Sequence, residues 1–442
     1  MAQATYHFPR GFLWGTATAA YQVEGGNTNS TWYAWEEQPG RILNGDRAGL
    51  ACDWWNGRWR EDLRRAADTG QNAHRFSIEW SRIQPAPDRW EEEALDRYLE
   101  MLRYMEELGL MPMVTLHHFS DPLWLKDKGG WVSPTVVGYF DAFVKRVVDT
   151  LKDYVSLWCT INEPNVFAVM AFMDGVFPPG EKSLSRFYRV CLNLVRAHTA
   201  AYRTIHAIQP EARVGLAINY RSMVPARPWF PPDRWITQLQ SGVFNDLFPL
   251  AAKDGWVRLP LLRRRVPEAK GTQDYIGINY YTRDQVKFSP LRPGEIFSRR
   301  FFREDAILSH TGFIANEPEG MWDALKWANR FNLPILVSEN GVEDPEDRLR
   351  PRYLAEHLHQ VWRAANFNWP VKGYFHWTLV DNFEWERGWS QRFGLWELDV
   401  ETQGRRKRPS ADFFAEICRE NGISAEMLAR YAPEAFEKIF PN

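Results

Sequence analysis

Two apolar, strand-like runs of this chain each end in a glutamate. Trp158-Cys159-Thr160-Ile161-Asn162-Glu163 is followed by Pro164, and Ile335-Leu336-Val337-Ser338-Glu339 by Asn340-Gly341. A strand buried on both faces reads as a near-continuous apolar run, so a carboxylate at its tip is held by the sheet instead of moving freely in solvent. Two such tips, far apart in sequence, predict a pair of facing carboxyl groups, the minimal equipment for hydrolysing a glycosidic bond. Arg75, within Asn72-Ala73-His74-Arg75-Phe76-Ser77-Ile78, is a candidate for keeping one carboxylate ionised by charge attraction. Tyr281, in Gly277-Ile278-Asn279-Tyr280-Tyr281, is a candidate hydrogen-bond donor to the same group. The other glutamate then titrates higher, because burial and a like charge disfavour its ionised form. The plainer reading of Arg75 is a structural ion pair.

These residues need a scaffold that brings strand tips together. Eight strand-like runs can be read along the chain: Phe12–Ala17, Ala73–Ile78, Met111–His118, Ser156–Glu163, Ala212–Asn219, Asp274–Tyr281, Pro334–Glu339 and Val371–Leu379. Helical spacing lies between most of them. Phe140, Phe143, Val144, Val147, Val148 and Leu151 follow an i, i+3, i+4, i+7 pattern, as do Cys191, Leu194, Val195, His198, Tyr202 and Ile205. Leu95, Leu99, Leu102 and Leu108 sketch a third helix. Alternating strand and helix implies a parallel sheet with helices outside it, and eight strands suit closure into a single (β/α)₈ TIM barrel over residues 1–442. A doubly wound open sheet is disfavoured, since no Gly-x-Gly-x-x-Gly turn follows an early strand. In a barrel the strand C-termini converge on one face, so Glu163 on the fourth strand and Glu339 on the seventh can meet. Two long intervals, Tyr220–Thr272 and Thr282–Trp322, also follow strand C-termini and are read as extended active-site loops.

Composition narrows the function classes. The chain has 442 residues and a formal net charge of −2, which gives no reason to expect nucleic acid or an anionic membrane as partner. No run of about 18 apolar residues predicts a membrane span. Met1 to Arg10 lacks the plan of a secretory signal, and Asn29-Ser30-Thr31 is then a chance sequon. Cys52, Cys159, Cys191 and Cys418 have no metal or redox spacing and read as mostly buried free thiols in a reducing, cytoplasmic compartment. Aromatic residues reach 15%, including 22 Trp, a level that core filling explains for any single residue and that sugar stacking explains for some. Trp54, Trp55 and Trp59 read as core. His117 and His118 alternate faces of a strand and cannot readily chelate one ion; His117 reads as a packed residue. His357 and His359, two apart on a helix, read as surface residues. Arg299-Arg300 and Arg405-Arg406-Lys407-Arg408 read as solvated loops.

The motifs together resemble glycoside hydrolase family 1, the β-glucosidase and β-galactosidase family, nearly end to end. Phe12-Leu13-Trp14-Gly15-Thr16-Ala17-Thr18-Ala19-Ala20-Tyr21-Gln22-Val23-Glu24-Gly25 is similar to its N-terminal signature. Thr160-Ile161-Asn162-Glu163-Pro164 is similar to its acid/base motif, Ser338-Glu339-Asn340-Gly341 to its nucleophile motif and Asn382-Phe383-Glu384-Trp385 to its sugar-clamp motif. The resemblance implies a retaining double displacement without metal or organic cofactor. Glu339 is then the nucleophile and Glu163 the acid/base, with Arg75, Asn279 and Tyr281 positioning them. It also implies that Gln22, His118, Asn162, Glu384 and Trp385 bind sugar hydroxyls above a Trp377 floor, with Asn162 at the 2-OH. The expected partner is a small β-glucoside, such as a cello-oligosaccharide or aryl glucoside; oligomeric state is not legible.

Three positions depart from many family members. Asn165 follows the Glu-Pro pair where Trp is common, Phe313 follows Gly312 where Trp is common, and Phe119 follows His118 where Trp is common. A wider or less aromatic aglycone site is the expectation. The intact Asn162-Glu163 argues against a myrosinase-like enzyme, and Glu384-Trp385 against the phospho-glycosidase branch. β-Glucosidase with side activity on galactosides and fucosides is the expected activity. A transglycosidase using the same site is the alternative. A non-catalytic sugar-binding barrel is disfavoured, since both carboxylates are present.

Overall fold

The computed structural model describes residues 4–292 and 295–441. Met1–Gln3, Pro293, Gly294 and Asn442, which fall within the N-terminal segment, the Thr282–Trp322 interval and the 1–442 span, lie outside the described residues. Eight parallel strands close into a barrel in sequential order. They are β1 (Leu13–Ala17), β2 (Ala73–Ser77), β3 (Met111–His117), β4 (Leu157–Asn162), β5 (Arg213–Asn219), β6 (Tyr275–Asn279), β7 (Ile335–Asn340) and β8 (Val371–Trp377). β8 pairs with β1 through Trp377 and Ala17, which closes the ring. Each predicted strand lies within one or two residues of the observed one. The ends shift because strand tips are defined by pairing with a neighbour, which local pattern does not encode.

Helices wrap the barrel as the apolar spacing requires. In Val136–Leu151 the six periodic residues are all buried, and Leu184–Ile208 buries Cys191, Leu194, Val195, His198 and Ile205 on one face. The chain ends meet beneath the barrel, where Thr5–His7 pairs antiparallel with Gly422–Ser424. All four cysteines are buried and free. No described helix is long and apolar enough to cross a membrane.

Besides one near the start of β7, three register breaks fall at β6 beside Asn279, at β7 between Val337 and Asn340, and at β4 between Cys159 and Asn162. Such irregularities re-aim side chains at the rims of barrels. Each of the three adjoins a predicted site residue.

Several expectations need correction. Tyr220–Thr272 is not simply a loop: it contains helices Pro231–Ser241 and Leu247–Asp254, joined by a π-helical turn at Gly242–Asp246, and a hairpin of Trp256–Leu259 with Leu262–Arg265. Pro225 and Pro228 precede the first of these helices and Pro231 and Pro232 open it, where a missing N–H costs nothing. His357 is a core residue, not a surface one. It is fully buried on the inner face of Arg350–Asn366, with Nδ1 3.1 Å from Asn340 Nδ2. Arg405 and Arg408 are not solvated: their side chains are 1% and 5% exposed and pair with buried Asp62 and Asp381. A buried carboxylate must find a cation, which the local run of charges conceals. Arg299 and Arg300 lie on a short strand, Ser298–Phe301, with exposed side chains.

Candidate active site

Glu163 and Glu339 leave the top of β4 and β7 into one cavity, 5% and 3% exposed respectively. Glu163 sits at φ 42° in the left-handed region and turns the chain from strand into helix Pro164–Phe172. A non-glycine residue held there costs on the order of 1–3 kcal/mol and persists where its surroundings over-determine it. Pro164 at the first helical position suits the abrupt start. After Glu339, Gly341 is required by crowding, since a Cβ there would lie 1.9 Å from the Trp377 carbonyl oxygen.

Arg75 is the pin through the barrel. Fully buried on β2, it donates from Nη1 to Glu339 Oε1 at 2.6 Å, from Nη2 to Asn162 Oδ1 at 2.6 Å and from Nε to Thr115 Oγ1 at 3.1 Å. One guanidinium thus ties β2 to β3, β4 and β7. Tyr281 donates to the other Glu339 oxygen at 2.6 Å. Burial raises the Glu339 pKa, and Arg75, then Tyr281, oppose it. Among the described residues, no cation forms an ion pair with Glu163. Its Oε1 accepts from Asn279 Nδ2 at 2.8 Å and Asn219 Nδ2 at 2.9 Å. Burial, and next the charge of Glu339, push its pKa up to about 8. The two carboxyls are thus held differently: Glu163 is pushed toward its protonated form, while Glu339 carries the cation and phenol contacts that favour an anion. Asn279 links them: it donates to Glu163, is oriented by Ser338 Oγ donating to its Oδ1 at 2.7 Å, and helps favour ionised Glu339.

Of the predicted sugar ligands, His118, Trp377, Glu384 and Trp385 line the same cavity, with Gln22 and Asn162 bonded directly behind Glu384 and His118. Arg75 donates to Asn162 Oδ1, so Asn162 Nδ2 is the end that meets His118 Nε2, at 2.9 Å. That nitrogen must accept, and burial lowers the His118 pKa well below its ordinary value, so the ring is neutral. The proton is then on Nδ1, which is buried without a partner among the described residues. Gln22 Nε2 is engaged by Phe383 O at 2.8 Å and Glu384 Oε2 at 3.1 Å, while its Oε1 is buried and unpartnered among the described residues. The wall therefore presents a fixed donor at His118 and a fixed acceptor at Gln22. An unpaired buried polar atom costs about 1–3 kcal/mol, recovered when a hydroxyl fills it. Glu384 is pushed up to about 8 by burial, then by Glu386 and Glu339. Trp377 and Trp385 flank His118 with ring centroids at 6.0 and 5.8 Å, both nearly parallel to it.

All eleven residues singled out from the sequence thus converge on one region. Asn219 and Ser338 were missed. Asn219 ends its strand as Glu163 and Glu339 do, and that was the available signal. Of the three departures, Asn165 is buried and donates to Asn219 O at 2.8 Å, Phe119 packs into the core, and half-exposed Phe313 lies under the Arg387 guanidinium.

Comparison with known proteins agrees with this geometry. The model of glycosyl hydrolase family 1 matches residues 4–423. Beta-glucosidase A of Thermotoga maritima is 33% identical, covering 94% of this chain and 98% of that protein. The beta-galactosidase of Pyrococcus woesei is 30% identical over 95% of this chain and 98% of its own length. The solved beta-glycosidase from Pyrococcus horikoshii superposes with a TM-score of 0.90 at 34% identity, covering 97% of this chain and 98% of that one. A closed barrel, two differently tuned carboxyls and this whole-length similarity lead to one conclusion: the chain belongs to glycosyl hydrolase family 1 and is a β-glycosidase.

Proposed function

We propose that residues 1–442 act as a single catalytic unit, a retaining, exo-acting β-glucosidase with side activity on β-galactosides and β-fucosides. The observation that carries this reading is the unequal treatment of the two glutamates. Glu339, gripped by Arg75 and Tyr281 at 2.6 Å each, is the anionic nucleophile that attacks the anomeric carbon. Glu163, with a pKa near 8, protonates the departing oxygen. Esterification of Glu339 removes the neighbouring negative charge, so the Glu163 pKa falls and the same group then deprotonates water. Asn279 donates to Glu163 at 2.8 Å and is the register partner of Glu339 on the adjacent strand, which supports the short separation, roughly 5–5.5 Å, that retention needs.

The free atoms at the inner end fit a terminal sugar: Gln22 Oε1 and the Glu384 carboxyl face one set of hydroxyls, and His118 Nδ1 another. Asn162 keeps one amide hydrogen for the 2-OH, where a contact strengthens in the transition state. Trp377 is the stacking floor. The substrates are small β-glucosides met in the cytoplasm, in keeping with four buried free thiols. Glucose and galactose differ only at the 4-OH, and relatives of both names lie at similar identity.

The test combines a panel of p-nitrophenyl β-glycosides differing only in the sugar with the Glu339→Gly variant. Turnover should be greatest with glucoside, and the variant should lose at least about 10⁴-fold in kcat, roughly 5 kcal/mol. Azide should partly restore it and yield the α-glycosyl azide. Near-wild-type activity in Glu339→Gln would overturn the assignment.

A further inference from the structure

The cavity that holds the glutamates extends well beyond one sugar, with a volume of about 830 Å³. That is near the upper end of small-molecule pockets, about 300–1,000 Å³. Its outer part begins with helix Pro164–Phe172, which starts directly after Glu163. Asn165 is the only polar side chain in that helix, and it is buried on the inner side. Val166, Val169, Met170 and Met173 recur at i, i+3, i+4 and i+7, and all four line the cavity half-buried. A helix apolar on every side is ordinarily enclosed by protein. Here one apolar stripe faces an open channel, starting three residues beyond Glu163 and running from Val166 to Met173 for ~10 Å at 1.5 Å rise per residue.

The π-helical turn at Gly242–Asp246 supplies a further part of this lining, with Val243 and Phe244 also half-buried there. Single π turns of this kind often mark functional positions. At the mouth, Leu184 and Leu239 line the cavity yet remain 53% and 43% exposed. Polar groups in this outer part mostly satisfy one another: Arg221 grips Asp284 through two contacts at 2.7 and 2.8 Å, and Gln240 donates to Ser298. Arg387 pairs with Glu386 and Gln391 donates to Thr311, which leaves the Gln240 carbonyl oxygen and, at the rim, Asp174 and Arg300, the last reaching Asp284 only at 4.0 Å. A second sugar ring presents hydroxyls on every edge and would be poorly matched here. Methionines, flexible and polarisable, suit a chain of variable shape.

We propose that the aglycone side of this site is built for an unbranched aliphatic chain, so that the enzyme cleaves long-chain alkyl β-glucosides in preference to cellobiose. This rests on the β-glucosidase reading above. Glu163 gives its proton to the alkoxy oxygen as the C1–O bond breaks and a Glu339 oxygen bonds to C1. Water then displaces Glu339 from C1 while giving a proton back to Glu163, so the products are glucose and the free alcohol.

The experiment is kcat/KM for methyl, butyl, hexyl and octyl β-glucosides and cellobiose, below micelle-forming concentrations, with p-nitrophenyl β-glucoside in the same assay. The expected result is a rise of about two- to fourfold per added methylene, continuing to about eight carbons, where the ~10 Å stripe ends. Octyl glucoside should exceed cellobiose. A flat series, or cellobiose preferred, with p-nitrophenyl glucoside turned over overturns the proposal and leaves the β-glucosidase reading intact. Failure on every β-glucoside overturns both. Met170→Gln and Met173→Gln, at half-exposed positions, should each lower the octyl-to-methyl ratio at least fivefold; an unchanged ratio would remove the stripe from the argument.

Discussion

The inner end and the outer wall of one cavity are built from opposite materials. Around Glu163 and Glu339 most polar atoms have a named partner, and His118 Nδ1 and Gln22 Oε1 are among the few buried without one among the described residues. Along Val166, Val169, Met170 and Met173 there is almost nothing to hydrogen-bond. Directional bonds discriminate strongly because a missing partner leaves a buried group unpaired, whereas an apolar wall discriminates only by area. Under the proposed function, this contrast means that the chemical step and the sugar are set rigidly, while the leaving group is set loosely.

This contrast can be broken by substitution. Changes at the inner end should act through kcat on every substrate; changes on the outer wall should scale with the leaving group. The largest effect in this series is Glu163→Gln, expected to cost about 10²–10⁴-fold in the rate of glycoside cleavage, most for alkyl leaving groups that need a proton. The protonated form of Glu163 is the acid, so wild-type kcat/KM should fall as pH rises through about 8. Glutamine does not titrate, and the variant's profile should lose that alkaline limb. A limb that persists would reassign the acid.

Tyr281→Phe comes next. It removes a 2.6 Å bond to ionised Glu339, and a hydrogen bond to a charged group contributes about 1.5–3 kcal/mol. Steady-state kinetics should show a loss of ~10–150-fold, equal for alkyl and aryl glucosides; a loss that varies with aglycone would blur the boundary between the two regions. The smallest effect is Asn219→Ala. Asn219 donates to Glu163 and lowers its pKa. Without it the pKa rises, and the alkaline limb should move to higher pH while the optimum rate changes little. A shift to lower pH would contradict the assigned donor.

Much of this was legible beforehand for local reasons. Apolar runs of strand length ending in glutamate announce both the barrel and its catalytic face, because a buried strand must be apolar and its tip need not be. Helix Val136–Leu151 was readable because its burial follows its own period. Legibility failed where burial is decided by a distant partner. His357 looks like a surface residue until Asn340 is placed against it, and Arg405 and Arg408 look solvated until Asp62 and Asp381 are brought up. The helices within Tyr220–Thr272 were obscured by prolines that precede or start the first of them.

The amino-acid order alone determined the strand and helix sequence, the presence of two carboxyls at strand tips and the supply of amides, phenol and guanidinium around them. Only the tertiary structure decided which carboxyl receives the cation and phenol contacts, which ring nitrogen of His118 carries the proton and where the cavity runs dry. Those outcomes depend on Arg75 reaching three other strands at once and on the register that aims Asn279 at Glu163. Partners of that kind are set by closure of the barrel, a non-local event that no stretch of sequence contains.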